Sequence, residues 1–158
     1  MEPTKYGGNN AAYPSHPRVA VGAVVFHQNR VLLIQRANPP SQGKWSIPGG
    51  VVLLGETLQE AAEREILEET GLFIKARHPV YTFDVITRDK DGGIDFHYVI
   101  VDLLADYVKG SLRPGDDALD ARWVLPGELA LLDMPEKTRD LLLNLFEPSQ
   151  PNFNSQPA

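Results

Sequence analysis

Residues 19–26 read Val-Ala-Val-Gly-Ala-Val-Val-Phe, a run with no polar break, which predicts a strand buried on both faces. Residues 27–30 read as a turn and 31–35 as the returning strand, so this pair predicts a hairpin. Residues 36–44, marked by Pro39-Pro40 and Gly43, predict a loop. Trp45-Ser-Ile-Pro-Gly-Gly50 follows, then a short apolar piece over 51–54. The period then changes. Leu58, Ala62 and Ile66 form an i, i+4, i+8 stripe, Thr57 and Glu60 have the capping-box spacing, and Gly71 suits the position past a helix end. A helix is predicted over 57–70. Residues 73–88 predict a long strand interrupted near His78-Pro79, 89–93 a hairpin turn, 96–105 its partner and 121–125 a further strand. Leu141, Leu142 and Leu145 predict a second helix over 135–146, stopped before Pro148. Antiparallel hairpins dominate, and the βαβ rhythm of a Rossmann fold is missing.

The flanks carry no such pattern. Residues 1–17, with Gly7-Gly8-Asn9-Asn10 and Pro3, Pro14 and Pro17, are expected to be a flexible arm, and the Pro/Asn/Gln/Ser-rich 148–158 a flexible tail. One folded domain is expected over 18–147, since 158 residues are the length of a single domain. The chain has no cysteine, which excludes disulfides, cysteine-bound zinc, iron–sulfur clusters and a thiol nucleophile. With no secretory signal pattern and no apolar run of the ~18 residues that span a bilayer, no membrane partner is expected and the location is expected to be cytoplasmic. Neither G-x-G-x-x-G nor a Walker A sequence occurs. The formal net charge of −6 argues against a nucleic-acid partner. That charge is concentrated: residues 56–69 hold six carboxylates and one arginine, so the remainder is nearly neutral.

Glu65, Glu68 and Glu69 lie at i, i+3 and i+4 and occupy one helical sector ~100° wide. Like charges at this spacing repel by a few tenths of a kcal/mol, and carboxylates in a last turn face the negative end of the helix dipole. A solvated acidic face is one reading. A bound divalent cation is the other, and it turns both penalties into attractions. Oxygen-only ligands suit Mg²⁺, Mn²⁺ or Ca²⁺ rather than zinc, and Mg²⁺ completes its shell with water and substrate phosphates. Gly49-Gly50 allows close approach of backbone to a ligand, and its carbonyls can bind a hard cation. Glu56 adds a carboxylate ahead of the helix.

Gly50, five residues, Glu56, seven residues, Arg64-Glu65-Ile66, one residue, Glu68-Glu69, one residue, Gly71-Leu72 resembles the full signature of the Nudix hydrolases at all nine specified positions. With average residue frequencies a chance match is on the order of 10⁻⁷. The resemblance extends over 18–147, through the approach Trp45–Gly50 and the segment Ala121-Arg-Trp-Val. It implies an α/β fold, an α/β/α sandwich with a mixed β-sheet between helices. It also implies Mg²⁺- or Mn²⁺-dependent hydrolysis of a nucleoside diphosphate linked to another moiety. By position, Glu65, Glu68 and Glu69 would hold metal with the Gly49 or Gly50 carbonyl. Arg64 would orient Glu65, and Glu56 would support the site indirectly. Glu65 is the first candidate for general base. Asp116, Asp117 and Asp120 follow Pro114-Gly115 and are either an ordinary acidic turn or an extra base or ligand.

Phosphate positioning is expected from Arg36, whose fork suits phosphate, or from Lys44. Tyr81, Phe83, Phe96, His97 and Tyr98 cluster on the central hairpin, and one or two are expected to touch substrate. Tyr81 and His97 are the substrate-facing candidates, although a histidine in an alternating strand is more often structural than catalytic. Within the family, Arg36-Ala-Asn-Pro-Pro with Lys44–Gly50 looks most like compact bacterial ADP-ribose pyrophosphatases, which form AMP and ribose 5-phosphate. The alternatives are a nucleoside triphosphate pyrophosphohydrolase and, in another class, a non-hydrolytic nucleotide-binding regulatory domain. A homodimer is a family-level expectation only.

Overall fold

The computed structural model describes residues 13–39 and 41–146. Most of the expected arm and all of the expected tail lie outside these residues. Within them the elements run β1 (Arg18–His27), β2 (Arg30–Arg36), β3 (Trp45–Ser46), β4 (Gly49–Val51), α1 (Leu58–Thr70), β5 (Phe73–Arg88), β6 (Ile94–Lys109), β7 (Ala118–Val124), a 3₁₀ turn at Pro126–Leu131, and α2 (Glu136–Phe146). No described helix is long and apolar enough to cross a membrane.

The strands form one mixed seven-stranded sheet with the order β3-β2-β1-β6-β5. β1 and β6 are parallel and the other pairs are antiparallel. β1 lies in the middle, which is why its sequence is apolar without alternation. Val21, Ala23 and Val25 face α1 and pack with Ala61, Ala62, Ile66, Leu103 and Ala105. Val24 faces the other way, among Leu33, Trp45, Leu129, Met134 and Leu142 of the 3₁₀ turn and α2 side. The sheet is therefore covered by helix on both faces, as the family resemblance implied.

One edge of β1 is shared by two partners. Ala20, Val21 and Gly22 pair with β4, whereas Phe26 and His27 pair with β2. The sheet thus splits between β2 and β4. The sequence pattern showed the β1–β2 hairpin but neither this split nor the strands β3 and β4, which have two and three residues, too few for any period. β6 is longer than its apolar run, because Ile94–Lys109 pairs with β5 along its length and with β1 through 98–106. The interruption expected near His78-Pro79 is a shift of register between Ala76 and Tyr81.

α1 begins and ends where its caps dictate. The Glu60 N–H donates to Thr57 Oγ1 at 3.1 Å while the Thr57 N–H donates to the Glu60 carboxylate at 2.8 Å, a reciprocal box. Gly71 ends the helix at φ 72°, a conformation that a Cβ would penalise. The segment after β6 then folds over this end: the Arg113 N–H donates to Thr70 O and the Gly115 N–H to Glu69 O. A Cβ on Gly115 would stand 2.2 Å from Glu68 O, so glycine is what allows that approach.

Candidate active site

α1 presents two faces. Ala61, Glu65 and Glu69 follow each other at i, i+4, i+8 on the buried side, so two carboxylates share the stripe that packs on the sheet. Glu65 is 7% and Glu69 5% exposed. Glu68, one step round the helix, keeps a side chain 60% exposed. The acidic sector read from the helix wheel is therefore not a solvated face. Two of its members lie under the β4 strand.

Arg64 ties the pieces together. Its Nη2 donates to Glu56 Oε2 at 2.9 Å and to Val51 O at 3.0 Å, and its Nε meets the other Glu56 oxygen. Its Nη1 donates to Glu65 Oε1 at 2.7 Å and reaches Glu68 at 3.4 Å. Glu56 is itself fixed by the Leu53 N–H at 2.9 Å. Glu56 thus touches the site through Arg64. Glu69 Oε2 accepts the Gly49 N–H at 3.0 Å. A Cβ on Gly50 would stand 2.3–2.5 Å from the three carboxyl atoms of Glu65, so only glycine lets that carboxylate sit against the strand.

Burial pushes the Glu69 carboxyl up to about 8, against the Gly49 hydrogen bond and aided by the charge of Glu65. Burial also raises Glu65, with Arg64 opposing and Glu68 and Asp117 adding to the rise. Arg64→Met leaves Glu65 buried without its partner. It is expected to lower stability at neutral pH by ~1–3 kcal/mol. The loss should shrink on acidification as Glu65 takes up a proton, which urea unfolding at several pH values would show.

Of the three aspartates after Gly115, Asp117 comes to this site. It borders a small recess with Arg36, Asn38 and Glu69, and its Oδ1 accepts from Asn38 Nδ2 at 3.1 Å. Asp120 instead pairs with Arg122 at 2.7 Å, and Asp116 is exposed. Arg36 lines both that recess and a larger cavity of about 540 Å³ between the sheet and the start of α2. Gly49, Gly50 and Val51 of β4 line the cavity, and Tyr81, Phe83 and Tyr98 lie along the β5–β6 part of its wall. Lys44 and His97 do not line it. Lys44 stands 4.0 Å from Asp133. His97, between Phe96 and Tyr98 on the strand and opposite Ile86, points to the other face. Among the described residues no three acidic or histidine side chains are gathered closely enough to hold a metal ion by themselves.

One lining residue escaped the sequence reading. Asp102 of β6 is 4% exposed and faces the cavity beside Gly22. The available signal was a single acid inside the apolar run 98–105.

Residues 16–145 match the family model of the NUDIX domain. The chain belongs to the Nudix family. It is 40% identical over 108 residues to a Methanocaldococcus jannaschii protein named ADP-ribose pyrophosphatase, covering 68% of this chain and 62% of that one. It is 42% identical over 57 residues to a Danio rerio oxidized purine nucleoside triphosphate hydrolase, covering 36% of each. A solved NUDIX hydrolase from Nitrosomonas europaea superposes with a TM-score of 0.69 at 27% identity, covering 92% of this chain and 77% of that one. The chain spans less than two thirds of the length of the two named relatives.

Nudix hydrolases generally use divalent metal ions, and the donor set of this Nudix domain fits such an ion. Glu65 and Glu69 are buried, and burial raises the proton affinity of both. The charge of Glu65 adds to the rise at Glu69, and Arg64 on Glu65 and the charge of Arg36 near Glu69 oppose it. Two carboxylates with nearby glycine carbonyls are the oxygen-only complement that a hard cation takes when water and substrate fill the rest of its shell.

Proposed function

We propose that this Nudix domain hydrolyses the pyrophosphate bond of a nucleoside diphosphate linked to another moiety, with ADP-ribose or an ADP-sugar as substrate and AMP and a sugar phosphate as products. The observation that carries the reading is the pair Glu65–Glu69, buried beneath Gly49-Gly50, which line a nucleotide-sized cavity. Glu65, Glu69 and Glu68, with a Gly49 or Gly50 carbonyl, would hold Mg²⁺ or Mn²⁺. When bound, the cation neutralises pyrophosphate charge and makes the attacking water more acidic.

The chain's own residues do the remainder. Arg64 holds Glu65 in one orientation, and the Gly49 N–H holds Glu69. Arg36 stands between recess and cavity, where its fork can grip a phosphate. Water attacks one phosphorus, the anhydride P–O bond breaks, and the water's proton passes to a carboxylate. Glu65 is the first candidate to accept it. Asp117, across the recess from Glu69, is the second. We take the enzyme to be a cytoplasmic homodimer whose folded unit runs over 18–147, an assembly that light scattering checks.

The name of the Methanocaldococcus relative supports the ADP-ribose reading, and that of the Danio relative supports a nucleoside triphosphate as the second reading. A panel of ADP-ribose, NADH, dinucleoside polyphosphates and oxidised and canonical dNTPs, with Mg²⁺ and Mn²⁺, separates them. ADP-ribose is expected to have the highest kcat/KM. Preferred turnover of a dNTP would favour the second reading. Undiminished turnover in excess chelator would exclude the metal-dependent mechanism.

A further inference from the structure

Asp102 is a carboxylate without a counterpart. It is buried, it faces the cavity, and among the described residues no group donates a hydrogen bond to it. Its Oδ1 would lie 2.1 Å from a Cβ on Gly22, so the absence of a side chain at Gly22 is what makes room for it. A buried acid with no partner costs stability, and its persistence calls for a partner that arrives later. Burial alone pushes its carboxyl up to about 7, so near neutrality a large fraction carries both a donor and an acceptor.

Its place in the sheet relates it to the candidate metal site. Gly49 pairs with Gly22 across one strand boundary, and Gly22 pairs with Asp102 across the next. At ~4.8 Å per strand, Asp102 stands ~10 Å from Gly49 along one row of the sheet. That is the span from the phosphate of a nucleotide to the far edge of its base. Tyr81 is the residue of β5 opposite Asp102, and it stacks on Phe83 with ring centroids 5.3 Å apart, so an aromatic surface adjoins the acid.

We propose that Asp102 is the specificity-determining residue of this cavity and hydrogen-bonds the amino-bearing edge of the adenine while the pyrophosphate lies at Gly49-Gly50. The adenine edge presents an amino donor beside a ring-nitrogen acceptor, which a protonated carboxyl or an amide complements with two bonds. This rests on the nucleotide reading above, and the test is built so that the two can fail separately.

The probes are AMP, purine riboside 5′-monophosphate, which lacks only the amino group, and ribose 5-phosphate, with dissociation constants measured by calorimetry on the whole chain. In the wild type AMP is expected to bind about 10-fold or more tighter than the purine analogue. Asp102→Leu should bring the two within about twofold of each other and weaken AMP by about 10- to 100-fold, leaving ribose 5-phosphate unchanged. Asp102→Asn, which keeps an acceptor and a donor, should restore most of the preference. For ADP-ribose turnover, Asp102→Leu should raise KM with kcat within about threefold.

Equal binding of AMP and its analogue by the wild type would overturn the proposal without any variant. So would an Asp102→Leu protein that lowers kcat while leaving the AMP constant alone. If the wild type turns over no ADP-ribose yet shows the Asp102-dependent preference for AMP, the inference stands and the substrate reading falls.

Discussion

Glu69→Gln is expected to abolish hydrolysis while strengthening the fold. The two effects have one cause. Glu69 is 5% exposed, and burial holds its carboxyl at about 8, so the ionised form that a cation needs is expensive in the free protein. Glutamine keeps the shape, and its side-chain oxygen can still accept the Gly49 N–H that Glu69 accepts at 3.0 Å. What it lacks is the charge. If the bound cation supplies several kcal/mol of transition-state stabilisation, losing one of its two buried carboxylates should cost on the order of 10³-fold in kcat. The buried ionisable group disappears at the same time, so the melting temperature without metal should rise. Melting curves with and without Mg²⁺ complete the test: Mg²⁺ should raise the wild-type midpoint and leave that of the variant unchanged. A variant with wild-type kcat would remove Glu69 from the machinery.

Asp102, with Glu69, should be one of the two largest contributors to the pH dependence of stability above pH 4. Its carboxyl rises from 3.8 to about 7 on folding, through loss of solvent alone. The other ionisable groups lining the cavity are Arg36, Tyr81, Asp84, Tyr98, Glu136 and Lys137, and none of them contributes to the rise. Between these two values the folded chain binds the proton and the unfolded chain does not. Stability therefore falls as pH rises through this window. It is fully present below about pH 4 and lost by about pH 7, with a total on the order of 4 kcal/mol. Urea unfolding of wild type and Asp102→Leu at matched pH isolates the effect, since every other carboxylate is common to both. The variant should gain on the wild type steadily from pH 4 to 7. Parallel curves would mean that Asp102 is solvated or paired in solution. The same group is thus costly to the folded chain and, on our proposal, useful to the ligand.

Much of this protein is local and was legible as such. The helix Leu58–Thr70 is written in Thr57, Glu60 and Gly71, because caps act on groups within four residues of themselves. The burial of β1 on both faces is written in its unbroken apolar run. The signature residues Arg64, Glu65, Glu68 and Glu69 lie on one helix, so their approximate proximity follows from helical spacing alone.

What spacing could not show was direction and company. A helix wheel places Glu65, Glu68 and Glu69 in one sector, yet only packing against the sheet buries two of them and leaves the third in water. Asp117 and Asp120 look alike in the sequence. One is brought to Glu69 because Gly115 lets its loop close over the end of α1, and the other is turned toward Arg122 by the alternation of β7. Arg36 and Lys44 are both cations flanking a loop, but only Arg36 lines the cavity and the recess beside Glu69. Asp102 shows in the sequence only as one acid inside an apolar run. Its meaning comes from Gly22 and Gly49, distant in the chain and adjacent in the sheet. The sequence by itself determined the longer elements, the caps of α1 and the residues of the acidic helix, because these depend on neighbours a few positions away. The tertiary structure alone decided which carboxylates lose their water and what faces the cavity, because strand pairing joins residues whose separation in sequence holds no periodic trace.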